Sequence, residues 1–144
     1  MLIEREGHSY GSDFADLATF VREFGSPTDS ADEVRQSRCA ICDCATFWME
    51  VSEEAGVAKR TCTACKQAAF IGDSEAHWAK ADAGDAACPC GTKVFEVAVG
   101  FCLTKNRDVD WMAVGARCVA CDLVGIYADW CIEFTPSSAL IDST

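Results

Sequence analysis

Basic residues are scarce in this chain. Twelve lysines and arginines stand against 23 aspartates and glutamates in 144 residues, a formal net charge of −11. The cations form no basic run, and Arg60, Arg107 and Arg117 lie far apart. Phosphate backbones repel such a surface, which argues against nucleic acid as a partner and for a protein with a basic surface. Long apolar runs are missing too, so no membrane-spanning helix is expected. The opening Met1-Leu2-Ile3-Glu4-Arg5-Glu6 has neither the basic start nor the apolar core of a secretory leader, and a cytoplasmic location is expected.

Catalytic vocabulary is thin. His8 and His77 are the two histidines, and neither has a serine or cysteine nucleophile beside it. A flexible start is expected around His8, and a solvated side chain accounts for each histidine. The carboxylates form no recognisable pair, and no glycine-rich phosphate loop is present. The sequence points away from an enzyme.

Cysteine is what the chain has in excess, with 11 copies. In a reducing compartment, closely spaced thiols hold metals more readily than disulfides. Cys39-x2-Cys42 and Cys62-x2-Cys65 are separated by 19 residues, and Cys88-Pro89-Cys90 with Gly91 precedes Cys118-x2-Cys121. A turn carrying two cysteines points both sulfurs inward from one loop. A hairpin then brings a second such turn to the far side of a tetrahedron, with bonds of about 2.3 Å. Four thiolates leave no open position for water or substrate, so two structural Zn²⁺ ions are the expected cofactors. A redox Cys-x-x-Cys would need a strand-to-helix setting that neither set shows. Eight thiolates and two ions would take the net charge to about −15.

Three cysteines are left over. Cys44, Cys102 and Cys131 read as buried small hydrophobes, or, for Cys102 and Cys131, as an accessory thiol pair able to oxidise. Cys44 also offers an alternative ligand set. Aligning Glu50-Val51 with Glu96-Val97 makes Cys42 and Cys44 the counterparts of Cys88 and Cys90. Cys39-x2-Cys42 is preferred.

The chain repeats itself. Cys62, Ala64, Cys65 and Asp73 match Cys118, Ala120, Cys121 and Asp129 at an offset of 56, whereas Cys42 and Phe47 match Cys90 and Phe95 at 48. The difference is an insertion in the second hairpin, around Asn106 and Asp108. Alternating stretches predict hairpins over Ala45–Val51 with Val57–Cys62, and over Val94–Leu103 with Val109–Arg117. Third strands are expected at Gln67–Gly72 and Leu123–Tyr127, and a short helix at Asp73–Lys80. Before the cysteines, Phe14, Leu17, Val21 and Phe24 recur at helical spacing between a Ser12 or Asp13 cap and a Gly25 stop. That stripe packs on the core or docks elsewhere. A polar connector follows, with a short helix expected over Ala31–Gln36.

The cysteine sets, with Val114–Cys121 and Tyr127–Trp130, resemble the zinc-ribbon superfamily and a group of uncharacterised bacterial proteins carrying two ribbons in tandem. The resemblance covers Cys39 to about Phe134. It implies a small, metal-rich, mainly β fold of two tandem, duplicated three-stranded zinc ribbons, with an N-terminal α-helix ahead of them. Residues 1–38 would be helix and connector, 39–87 the first ribbon with its following helix, and 88–144 the second ribbon with its extended hairpin and tail. Glu53-Glu54 at the first hairpin tip is similar to the acidic pair of S-type transcript-cleavage factors, though Gly56 alone accounts for a polar turn.

The functional expectation is an acidic, zinc-binding protein-interaction or regulatory module. The alternatives are a transcription accessory factor acting on RNA polymerase through its acidic tip, and a thiol-based redox sensor. Arg107 and Trp111 on the lengthened hairpin are candidate partner contacts, with Glu53 and Glu54. The oligomeric state is not legible.

Overall fold

The computed structural model describes residues 2–24, 33–52, 54–71, 74–103 and 109–131. Glu53, Arg107 and the tail lie outside them.

Two three-stranded meanders form the body of the molecule. The first contains β4 (Thr46–Ser52), β5 (Val57–Cys62) and β6 (Ala68–Phe70), and the second β8 (Phe95–Leu103), β9 (Val109–Cys118) and β10 (Leu123–Cys131). Alternation decides their inner faces: Phe47 and Met49 are buried, while Trp48 and Glu50 face outward. The registers are equivalent, with Phe47 opposite Cys62 and Phe95 opposite Cys118. The first hairpin turns at Gly56, where φ is +67° and a Cβ would stand 2.8 Å from Trp130 Cβ. Glycine is required there twice over.

The meanders join edge to edge through their first strands. Phe47 on β4 pairs with Phe95 on β8, its own counterpart in the repeat, so an approximate two-fold axis passes between them. The strand leading into each set of cysteines crosses that axis. Ahead of Cys39, β3 (Glu33–Gln36) pairs with β8, and Ser37 N donates to Val97 O at 2.9 Å. Ahead of Cys88, β7 (Gly84–Asp85) pairs with β4, and Ala86 N donates to Met49 O at 2.8 Å. Each half therefore completes the sheet of the other. Phe47, Met49, Ile71, Phe95, Val97, Phe101, Met112 and Val114 fill the shared core.

Helix α1 (Phe14–Phe24) covers the second meander. Leu17 and Val21 are buried against Ala98 and Val124, and Asp13 Oδ1 accepts the Asp16 N–H at 3.0 Å to cap the first turn. Gly115 permits this approach, since a Cβ there would lie 2.4 Å from Val21. Helix α2 (Ser74–His77) runs into a 3₁₀ turn over Trp78–Lys80. Its first residue, Ser74, is buried and accepts the Ala58 N–H at 2.9 Å.

Two expectations are corrected. The start is a hairpin, β1 (Ile3–Arg5) and β2 (His8–Tyr10), turning on Glu6 and Gly7, both at positive φ. It adds to the sheet beside β10, which places His8 in a paired strand. Residues 33–36, expected as the end of a short helix, form β3, because pairing with β8 outweighs the weak helix preference of four residues.

Candidate metal centres

Four turns carry the eight paired cysteines, and all four close alike. The residue after the second cysteine is left-handed in each: Asp43 (φ +62°), Lys66 (+66°), Gly91 (+96°) and Asp122 (+69°). Its N–H returns to the carbonyl of the first cysteine, at 2.9 Å for Asp43, 3.0 Å for Lys66 and Asp122, and 2.8 Å for Gly91. Backbone N–H groups also reach the sulfurs. Ile41 N lies 3.4 Å from Cys39 Sγ and Ala64 N 3.4 Å from Cys62 Sγ.

The sulfurs converge in two sets, Cys39, Cys42, Cys62 and Cys65, and Cys88, Cys90, Cys118 and Cys121, each with all four within 4.8 Å of one another. Cys39–Cys65, Cys42–Cys62 and Cys88–Cys121 stand 3.4 Å apart, and Cys90–Cys118 3.6 Å. A tetrahedral ion with bonds of about 2.3 Å spaces its sulfurs by about 3.8 Å, so either set could hold Zn²⁺. Burial repeats as well. Cys39, Cys88, Cys62 and Cys118 are buried, Cys42 and Cys90 exposed, and Cys65 and Cys121 half-buried. Two such clusters are compatible with tandem zinc-ribbon-like modules.

Cys44 stands outside the first set. Its carbonyl accepts the Cys39 N–H at 2.9 Å, just as the Thr92 carbonyl accepts the Cys88 N–H at 2.8 Å, and its sulfur lies 3.3 Å from Thr46 Oγ1. Cys44 is thus the counterpart of Thr92. Cys102 and Cys131 lie on different strands, β8 and β10. Both face Trp111 in register, from opposite sides of β9. Two strand spacings put them about 9.6 Å apart, beyond the roughly 7 Å reach of a disulfide.

Within each set the thiols differ in acidity. The Cys42 and Ile41 N–H groups hold the Cys39 thiol down to about 6, and the Thr92 hydroxyl and N–H do the same for Cys90. Burial, followed by the neighbouring sulfurs, pushes Cys88 up to about 12. Protons and negative charge are therefore shared across each cluster until a cation replaces the protons.

Arg60 bears on whether a metal fits. It is 5% exposed, stacks 4.6 Å from the Phe47 ring, and its Nε has no hydrogen-bond partner. Burial lowers its pKa, while the charges of Cys39 and Cys62 raise it. A buried guanidinium nitrogen without a hydrogen-bond partner is costly, and a neighbouring tetrathiolate anion is the kind of charge that offsets it. Sequence reading missed Arg60, although its inward position two residues before Cys62 is a signal. It also missed Arg117, whose guanidinium pairs with Glu96 at 2.6 Å and Asp122 at 2.5 Å. In the second half Tyr127 lies 5.2 Å from Phe95, its pKa pushed up to about 12 by burial and then by the cluster's charge.

The other named candidates are dispersed. Glu54 is exposed at the first turn, and half-buried Trp111 donates Nε1–H to Asp129 Oδ2 at 3.2 Å. A cleft of about 390 Å³ beside the second cluster is lined by Ile3, Arg5, Tyr10, Gly11, Ser12, Cys121 and Asp122. Among the described residues no helix is long and apolar enough to cross a membrane. No known protein family, curated protein or solved structure matches the chain.

Proposed function

We propose that the chain is a zinc-stabilised protein-interaction module, two tandem zinc ribbons fused across a two-fold axis, whose acidic surface engages a basic partner protein. The observation that carries this reading is the pair of closed four-sulfur clusters. Each uses all its ligands on the ion and leaves no position for substrate, so the metal acts on folding. With a net charge of −11 before any metal is counted, the binding surface is anionic.

Zinc analysis of protein purified without chelator is expected to give two ions per chain, and one or none overturns the metal assignment. Crosslinking of the zinc-loaded chain in native lysate is expected to capture a protein with a basic surface, with capture fading as salt rises. Capture of nucleic acid alone overturns the partner assignment.

A further inference from the structure

The two clusters share a backbone but not a charge environment. Beside the first, Arg38 precedes Cys39, Arg60 is buried with Cys39 and Cys62 as its charged neighbours, and Lys66 follows Cys65. The equivalent positions of the second hold Ala87, Ala116 and Asp122. Arg38 and Asp43, 3.8 Å apart, cancel, which leaves two cations at the first cluster, buried Arg60 and exposed Lys66. At the second, Arg117 faces two carboxylates, Glu96 and Asp122, and is bound to both. Lys93 and Asp85, 3.8 Å apart, cancel, and Arg5 lies exposed across the cleft, where solvent screens it.

One thiol of each cluster is exposed, Cys42 in the first and Cys90 in the second, and in the second Cys121 also lines the 390 Å³ cleft. Among the described residues the clefts at Trp48 with Lys93 and at Ser52 with Asp82 border no cysteine. With zinc bound, all eight sulfurs are thiolates, so thiolate fraction no longer separates them. What remains is intrinsic nucleophilicity, which falls as surrounding positive charge stabilises the sulfur's electrons.

We infer that the second cluster is a reactive, zinc-releasing site addressed by small hydroperoxides through the Cys121 cleft, while the first is a locked anchor; this rests on the zinc reading above. In the first step the Cys121 thiolate attacks hydrogen peroxide, the O–O bond breaks, a sulfenic acid forms and hydroxide leaves. Cys88, whose sulfur is 3.4 Å from that of Cys121, then attacks the sulfenic sulfur and expels a second hydroxide. Two thiolates lose two electrons, the peroxide gains them, and one disulfide forms. An ion left with two thiolates dissociates.

The test treats the zinc-loaded full chain with hydrogen peroxide and follows release with a zinc-sensitive dye, after the starting zinc content has been measured. One ion is expected to leave roughly tenfold faster than the other, with peptide mapping of the fast product showing Cys88 joined to Cys121. Lys66→Asp, an exposed change, should speed release from the first cluster severalfold, and Asp122→Asn should slow it at the second. Both ions leaving together, first-cluster cysteines oxidising first, or neither variant altering a rate would overturn the inference alone. Fewer than two ions at the start overturns it together with the zinc reading.

Discussion

At the left-handed position after the last ligand of each half, the same backbone carries opposite charge. Lys66 in the first half lies 4.3 Å over the Trp48 ring, and Asp122 in the second accepts from Arg117, which also binds Glu96. Trp48 and Glu96 occupy matching positions, as do Lys66 and Asp122. A cation–π contact and an ion-pair triad thus brace the same turn. The buried face shows a similar exchange. Beside Phe47 the space holds Arg60, and beside Phe95 it holds Tyr127. The ligand turns fix the backbone, and the side chains around them vary freely enough to give two clusters of different electrostatic character.

The largest effect on this comparison should come from removing the ions. Each structural zinc contributes about 10 kcal/mol or more, so chelation is expected to abolish the cooperative sheet signal in far-ultraviolet circular dichroism. Acid should act alike, since protons compete with the ions for the ligand thiolates. Cys62→Ser and Cys118→Ser should each lose one ion. Because β3 pairs with β8 and β7 with β4, the remaining ion should also become easier to chelate. Retention at wild-type affinity in both variants would show that the exchanged strands do not couple the halves.

The next test sits on the two-fold axis. Phe47 and Phe95 are fully buried and face one another across β4 and β8. Truncating either to alanine should cost about 3–5 kcal/mol in urea denaturation of the zinc-loaded protein. Similar costs would support a symmetric axis. A much smaller cost at Phe47 would mean that Arg60 closes the cavity in a way Tyr127 does not.

These pairings also mark where sequence reading stops. The cysteine sets and the meander strands were legible because ligand spacing and alternation are local, short-range patterns. The β4–β8 junction was not, since Phe47 meeting Phe95 depends on register between segments 48 residues apart. The exchanged strands were hidden for a related reason. Glu33–Gln36 and Gly84–Asp85 are too short to show a period, and pairing alone makes them strands. The β1–β2 hairpin has mostly exposed side chains, which leave no apolar alternation to read. Arg60 sits where the pattern calls for an apolar residue, held there by the Phe47 ring and the neighbouring thiolates.

Replacing Arg60 probes that explanation directly. Arg60→Met fills similar volume without charge, leaving the first cluster's anion without its buried cation. Zinc affinity measured by chelator competition should fall about tenfold at the first site and stay unchanged at the second, where Ala116 already occupies the equivalent place. An equal change at both sites would mean that Arg60 acts through packing alone.

The smallest effects should come from two glycines that differ in their surroundings. Gly56 and Gly91 both have positive φ, +67° and +96°, so alanine strains the backbone at either position by about 1 kcal/mol. Space then separates them. A Cβ at 56 would meet Trp130 Cβ at 2.8 Å, with the ring's Cγ at 3.0 Å, whereas at 91 nothing lies within 4 Å. Gly56→Ala must also push β10 away from the first hairpin, and should cost about 2–3 kcal/mol in all. Gly91→Ala should cost only the conformational part, and Gly91→Asn less, since asparagine tolerates this region and Asp43 occupies the matching position at φ +62°. The measurement is urea denaturation of each zinc-loaded variant, with zinc content checked first. Equal losses for the two alanine variants would mean that Trp130 does not clamp the first turn, and that the halves are held together at the axis and the exchanged strands alone.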